Sequence, residues 1–201
     1  RVRISLDAHT DGTYKKVRVG SIDLEKVHRN IFQLLELREK GNYQLPIIGV
    51  SFCKMKTNEH EVKIFEEFWR DKVDFVSIQN YVPPTLQKKK YFDFYTDDQI
   101  FKKEKSLFKC NQPYQRVVIR NHKIYPCCVT LAIPDDKDDH NLVIGNVKKT
   151  SIYDAWNSKK MKSLRKIHKS GEFKKNNICI NCVNVNYPTR KYINEMKKNL
   201  K

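Results

Sequence analysis

The sequence predicts an α/β chain. Parallel strands alternate with helices over residues 1–84, a connector covers 85–109, and a small α+β domain (a β-hairpin plus a helix) occupies 110–201. Three observations predict it. Apolar runs of strand length and stretches with helical periodicity take turns, strand–helix–strand–helix–strand, through the first 84 residues. Five of the six cysteines lie between Cys110 and Cys182, with only Cys53 outside. A composition of 39% hydrophobic and 11% aromatic residues supplies enough apolar material for a core and argues against disorder.

The first strand is RVRISLD, in which basic and apolar residues alternate before the run turns apolar. AHTDGTYKKVR reads as a loop leading into a short helical start, with Asp11-Gly12 as a turn signal. Ser21 is the expected cap of the next helix, with Asp23 and Glu25 in its first turn. Leu24, Val27, Ile31, Leu34, Leu35 and Leu37 form its apolar stripe, and Gly41 its stop. PIIGVSFCK is a continuous apolar run with the branched content of a buried strand. Cys53 within it reads as a small core residue. VKIFEEFWRDK is an amphipathic helix with Ile64, Phe65, Phe68 and Trp69 as core candidates, and DFVSIQNYV is a third strand ended by Pro83-Pro84.

In the cysteine region, QRVVIRNHKIYPCC predicts a hairpin about Asn121-His122. LAIPDDKDDHN is an acidic loop. A short strand at LVIGN leads into one helix capped by Ser151 or Thr150, with Ile152, Ala155, Trp156, Met161, Leu164 and Ile167 on its inner face and Gly171 as its end. Arg165 is expected to be solvated or paired with a carboxylate. The tail beyond Cys182 is helical and basic. His60, His122, His140 and His168 share no metal-ligand spacing and read as surface residues.

Lys and Arg number 40 against 23 Asp and Glu, a formal net charge of +17. Such a balance attracts polyanions, but the basic residues are spread thinly, and a lysine-rich composition explains most of it. No apolar run is long enough to cross a membrane, and no signal peptide is evident. The cysteines are too few and too localised for a small secreted disulfide scaffold, so a reducing cytoplasmic compartment and a metal are expected. The sequence opens at Arg1 directly on a strand, which leads to the expectation of a longer parent protein.

Cys179 and Cys182 form a C-x-x-C pair, read as a short turn that points both sulfurs inward. Cys110 and the Cys127-Cys128 doublet supply further thiols. Four thiolates so arranged suit either Zn²⁺ or an iron–sulfur cluster.

The order of features from Cys110 to Cys182 resembles the SPASM domain, the auxiliary iron–sulfur domain at the C-terminus of many radical SAM enzymes. Those features are Cys110, the RVVIRNHKIYPCC hairpin, then Gly-Asn, Ser-Ile, Trp-Asn-Ser and Leu-Arg in IGNVKKTSIYDAWNSKKMKSLRKIH, and finally CINC. The family often has glycine at the hairpin tip where His122 stands here. The resemblance implies that Cys110, Cys127, Cys179 and Cys182 ligate one auxiliary 4Fe-4S cluster, with Cys128 the alternate to Cys127. Residues 1–84 look like the C-terminal half of a partial (β/α)6 radical SAM barrel. That likeness implies S-adenosylmethionine contacts from Ser5 and Asp7, from Asn58, and from Gln79 or Tyr81. The C-x-x-x-C-x-x-C loop that holds the radical-generating cluster in that family does not occur in this sequence.

The expected function is therefore that of part of a radical SAM/SPASM oxidoreductase. The full-length parent would be the enzyme, with S-adenosylmethionine and a second 4Fe-4S cluster, and the fragment alone would be inactive. Its substrate would be a peptide, a protein side chain or a small molecule, and its partner an electron-donor protein, with no membrane and no nucleic acid. The isolated fragment is expected to self-associate. The alternative is a zinc-binding module for nucleic acid or protein interaction.

Overall fold

The structure is a computed structural model that describes residues 1–83, 89–102, 109–129 and 142–199. The chain divides into two compact units, the first running from Arg1 to Pro83 and including the residues up to Ile100, the second from Phe101 to Asn199. The acidic stretch at 131–141, with His140, lies outside the described residues.

In the first unit, β1 (Val2–Ser5), β2 (Ile48–Lys54) and β3 (Phe75–Asn80) form a parallel sheet in the order β1-β2-β3. Helices α1 (Asp11–Val17) and α2 (Leu24–Lys40) connect the first two strands, and α3 (Val62–Trp69) connects the second pair. Side chains alternate across a strand, and the register sorts them into two sets. Ile4, Val50, Phe52, Val76 and Ile78 pack with Tyr14, Leu24, Ile31, Phe65 and Trp69 of the helices into one core. The other face carries a level row, Ser5–Ser51–Ser77, then Cys53 beside Gln79. Cys53 is thus half-buried on the polar face and not a core residue, because its parity in β2 is that of Ser51. Gly49 allows close approach on this face. A Cβ there would stand 2.4 Å from the Phe75 ring, which lies under the Arg1 guanidinium.

Several local expectations are corrected. The short helical start expected after β1 is α1, but it begins at Asp11, so Asp11-Gly12 opens the helix and is not a turn; Thr10 caps it, its hydroxyl accepting from Thr13 N at 3.3 Å. Asp23, not Ser21, precedes α2, and the Asp11 carboxylate accepts from Leu24 N at 3.2 Å in the cap's place. Leu37 and Ile64 face solvent, at 66% and 49% exposure, because both fall on the flank of their helical stripe. The connector's described residues belong to the first unit up to Ile100. Tyr81, Phe94 and Tyr95 form an edge-to-face aromatic group there, and Lys54 pairs with Asp98.

In the second unit, β4 (Val118–Arg120), β5 (Lys123–Tyr125) and β6 (Gly145–Asn146) form an antiparallel sheet in that order. Asn121 and His122 join β4 to β5 with φ of 47° and 64°, the two positive values of a type I′ hairpin turn. A histidine therefore accepts here the left-handed backbone that glycine supplies more cheaply. The predicted single helix is two: α5 (Ile152–Trp156), capped by Ser151, and α6 (Lys159–Lys169), capped by Ser158. Ser158 caps by accepting from Met161 N, and its extended backbone ends the first helix. The break leaves Ile152 52% exposed, while Ala155, Met161, Ile124 and Ile144 make the core. Gly145 fits because a Cβ at that point would already be 3.1 Å from Ala155 Cβ. His168 is buried on the Leu164 face of α6, not at the surface, and burial pushes its imidazole pKa down. After Gly171 come α7 (Asn177–Asn186) and α8 (Arg190–Asn199).

Candidate metal centre

The five clustered cysteines arrive from three segments. Cys110 stands two residues before the short helix α4 (Gln112–Gln115), Cys127 and Cys128 follow β5, and Cys179 and Cys182 lie on α7. The C-x-x-C pair is therefore helical and not a turn. Asn176 caps α7, its side-chain oxygen accepting from Ile178 N at 3.0 Å and Cys179 N at 3.1 Å. That places Cys179 in the first helical turn, where the helix dipole favours negative charge. Cys182 stands three residues on, over the same face.

Cys110, Cys127, Cys179 and Cys182 are half-buried and Cys128 is exposed. Burial pushes the Cys179 thiol up to about 12, and the nearby Cys127, Cys182 and Cys110 push the same way. Burial likewise pushes Cys182 up to about 12, reinforced by Cys127, Cys110 and Cys128 and opposed by a hydrogen bond from Asn186. Burial raises Cys110 too, with Cys128 adding to it and the backbone N–H of Gln112 opposing. Thiols drawn from positions 110, 127, 128, 179 and 182 thus sit near enough to feel one another's charge. A thiolate there is disfavoured unless a cation neutralises the group.

The doublet is not symmetric. Cys127 acts on both members of the C-x-x-C pair, whereas Cys128 acts on Cys182 and Cys110 but not on Cys179. The exposed Cys128 thiol points toward Gln112 Oε1, 3.9 Å away. Among the described residues, no group of three or more His, Cys, Asp or Glu side chains is arranged to hold one metal ion. Tetrahedral zinc and iron–sulfur clusters both accept an all-sulfur donor set, and four cysteine thiolates are what a 4Fe-4S cluster takes. The residues present fit that group.

Arg165 supports the Cys110 segment from α6. It is half-buried, and among the described residues it pairs with no carboxylate. Its guanidinium lies 4.3 Å from the Trp156 ring centroid, its Nε donates to Pro113 O at 3.0 Å, and Tyr114 Oη donates back to Arg165 O at 2.8 Å.

In the first unit, the residues expected to approach S-adenosylmethionine have separate surroundings. Ser5 is exposed at the end of β1, and Ser51 Oγ lies 3.2 Å from its hydroxyl. Gln79 is exposed near the end of β3. Asp7 takes a left-handed backbone, φ 62°, and its carboxylate accepts from Cys53 N at 2.7 Å and from the Arg18 guanidinium at 2.7 and 3.1 Å. Asn58 is fully buried. Its Nδ2 donates to Asp7 O at 2.8 Å and Cys53 O at 3.0 Å, and its Oδ1 accepts from Met55 N at 2.7 Å. Asn58 thereby spends its amide on tying the ends of β1 and β2 together. Tyr81 is buried, and burial pushes its phenol well above the usual range.

Sequence reasoning did not single out Asn176, Asn186 or Gln112. An asparagine three residues before the first cysteine of C-x-x-C is a readable cap signal. The other two become visible only when the sulfurs are placed.

Residues 110–183 match the family model of the SPASM iron–sulfur cluster-binding domain. No curated protein and no solved structure gives a significant match to the chain. The matched segment begins on Cys110 and ends one residue beyond Cys182, so it contains all five clustered cysteines. That match agrees with the C-terminal SPASM portion of a radical SAM enzyme.

Proposed function

We propose that this chain is part of a radical SAM/SPASM oxidoreductase in which Cys110, Cys127, Cys179 and Cys182 hold an auxiliary 4Fe-4S cluster. The observation that carries the reading is the match of residues 110–183 to the iron–sulfur cluster-binding model, a segment that holds five cysteines from three parts of the fold. Cys127 is the fourth ligand, and Cys128 is the exposed neighbour beside it. When bound, such a cluster supplies electron transfer or a binding point for substrate. The chain's own contribution is to hold the four sulfurs half-buried, with Asn176 fixing the helix that carries two of them.

The first unit would be the C-terminal half of a partial (β/α)6 barrel. An apolar face covered by helices, opposite a face that carries Ser5, Ser51, Ser77 and Gln79, supports this, since the strands of such a barrel pack one face on helices and turn the other to the interior. In that arrangement, Ser5 and Gln79 face S-adenosylmethionine, and Asp7 and Asn58 shape the strand ends behind them. The radical step belongs to a parent protein with a second 4Fe-4S cluster, since no C-x-x-x-C-x-x-C loop occurs in this sequence. A peptide or small-molecule substrate and a cytoplasmic electron-donor protein complete the scheme. Among the described residues no helix is long and apolar enough to cross a membrane.

Anaerobic reconstitution with iron and sulfide tests the reading. About four irons with matching sulfide per chain are expected, and Cys179→Ser or Cys182→Ser lowers the count while Cys128→Ser leaves it unchanged. Stoichiometric zinc with no iron uptake would replace the cluster by a zinc module. Among the described residues β1 and β3 pair with no further strand, edges that would favour self-association of the isolated chain, and a monodisperse monomer in light scattering would refute that part.

A further inference from the structure

We infer that Asn186 tunes the reduction potential of the Cys110–Cys182 centre by donating an N–H···S hydrogen bond to the Cys182 sulfur. The inference rests on the cluster reading above and goes beyond it. Asn186 lies at the C-terminal end of α7, one turn past Cys182 and three residues beyond the segment that matches the SPASM model. Its Nδ2 stands 2.8 Å from Cys182 O and 3.5 Å from Cys182 Sγ, so one amide group reaches both the helix carbonyl and the thiol. The spacing i, i+4 is what makes this possible. It brings the asparagine side chain back over the preceding turn, and the bond to the carbonyl anchors the amide beside the sulfur.

An amide N–H placed against a ligating sulfur acts through charge. One-electron reduction adds a negative charge that spreads over the sulfurs, and an N–H dipole directed at one of them stabilises the reduced form more than the oxidised form. Hydrogen bonds to the sulfurs are among the established determinants of iron–sulfur potentials. The donor on Cys182 is a side chain, so it can be removed by substitution. The corresponding donor near Cys110 is the backbone N–H of Gln112, which cannot. Asn186 is therefore a positioning and tuning residue, with no contact to substrate assigned to it.

The test compares reconstituted wild type, Asn186→Ala and Asn186→Gln by iron and sulfide content and by dithionite titration followed by electron paramagnetic resonance. The expected result is equal iron in all three. Asn186→Ala should be reduced about tenfold less readily at a given potential, a shift of about 59 mV to the negative for a one-electron couple. Asn186→Gln, which keeps an amide donor, should recover part of that shift. Asn186→Ala with full iron and the wild-type potential overturns the inference. If Asn186→Ala fails to load, Asn186→Leu keeps the bulk without the donor and without a new charge. A loaded Asn186→Leu of lowered potential supports the assignment, and its failure to load as well shows a purely structural role and overturns it. Wild type that takes up no iron and sulfide would instead sink the cluster reading, before any variant is compared.

Discussion

Replacing Asn58 by alanine should unfold the first unit far more readily than any ligand role for that residue would require. The side chain is fully buried and makes three hydrogen bonds of 2.7–3.0 Å, to Met55 N, Asp7 O and Cys53 O. Each buried bond is worth about 1 kcal/mol net, and an abandoned buried partner costs about 1–3 kcal/mol. Alanine strands two carbonyls and one N–H, and water admitted to the vacated space recovers part of that loss. The sum comes to about 3–4 kcal/mol. With a urea slope of about 1.5–2 kcal/mol per molar, the midpoint falls by about 2 M. The assay is urea denaturation followed by Trp69 fluorescence in a Trp156→Phe background, so that the only tryptophan left reports on the core of the first unit. Asn58→Asp keeps the acceptor for Met55 N but loses both donors, and should be at least as unstable at pH 7. A loss below about 1 kcal/mol for Asn58→Ala would refute the reasoning. Unchanged stability with abolished S-adenosylmethionine binding would return Asn58 to a ligand role.

Three further outcomes are expected. Burial opposes ionisation of Glu61, but hydrogen bonds from Thr10, Thr13 and the backbone N–H groups of His9 and Thr10 outweigh it and hold the carboxyl below its ordinary range. Its stabilising contribution is thus fully present above the ordinary glutamate value of about 4.3 and is lost as pH falls through the lower folded value. Glu61→Gln should lose stability at pH 7 and flatten the acid limb, and an unchanged acid limb in pH-dependent urea melts would count against the assignment. In the metal-free protein at pH 8, a thiol at about 12 has a thiolate fraction roughly 10³-fold below that of an ordinary cysteine near 8.5. Mass spectrometry after timed iodoacetamide treatment should find Cys128 alkylated early and Cys179 and Cys182 last, and equal rates would contradict the burial described. Gly49→Val should destabilise the sheet by about 1–3 kcal/mol through overpacking against Phe75, and Phe75→Ala should relieve much of that clash in a double-mutant cycle.

The strands and helices of the first unit were readable because local apolar periodicity encodes them, and the hairpin was readable from Asn121-His122 between two β-rich runs, but not its type I′ turn, because His122 stands where glycine is usual. The match over 110–183 upholds the resemblance read from the ordered Gly-Asn, Trp-Asn-Ser and Leu-Arg features. Other details were not legible. The division of one helix into α5 and α6 depends on Ser158 acting as a cap, although Ser158 could equally have been an exposed position within a longer helix. The burial of His168, the solvent-facing Leu37 and Ile64, and the stacking of Arg165 on Trp156 each depend on which neighbour covers that helical flank.

The sequence by itself determined the inventory: six cysteines, their spacing, the order of the elements and the alternation that makes β1, β2 and β3 parallel. Only the tertiary structure decided how that inventory is used. It turned Cys127 inward and left Cys128 exposed, set Asn186 against Cys182, and committed Asn58 to carbonyls 51 and 5 residues away. The physical reason is range. Helix and strand periodicity is a property of neighbouring residues, whereas burial and hydrogen-bond partnership are fixed by chain segments that meet only when the fold closes.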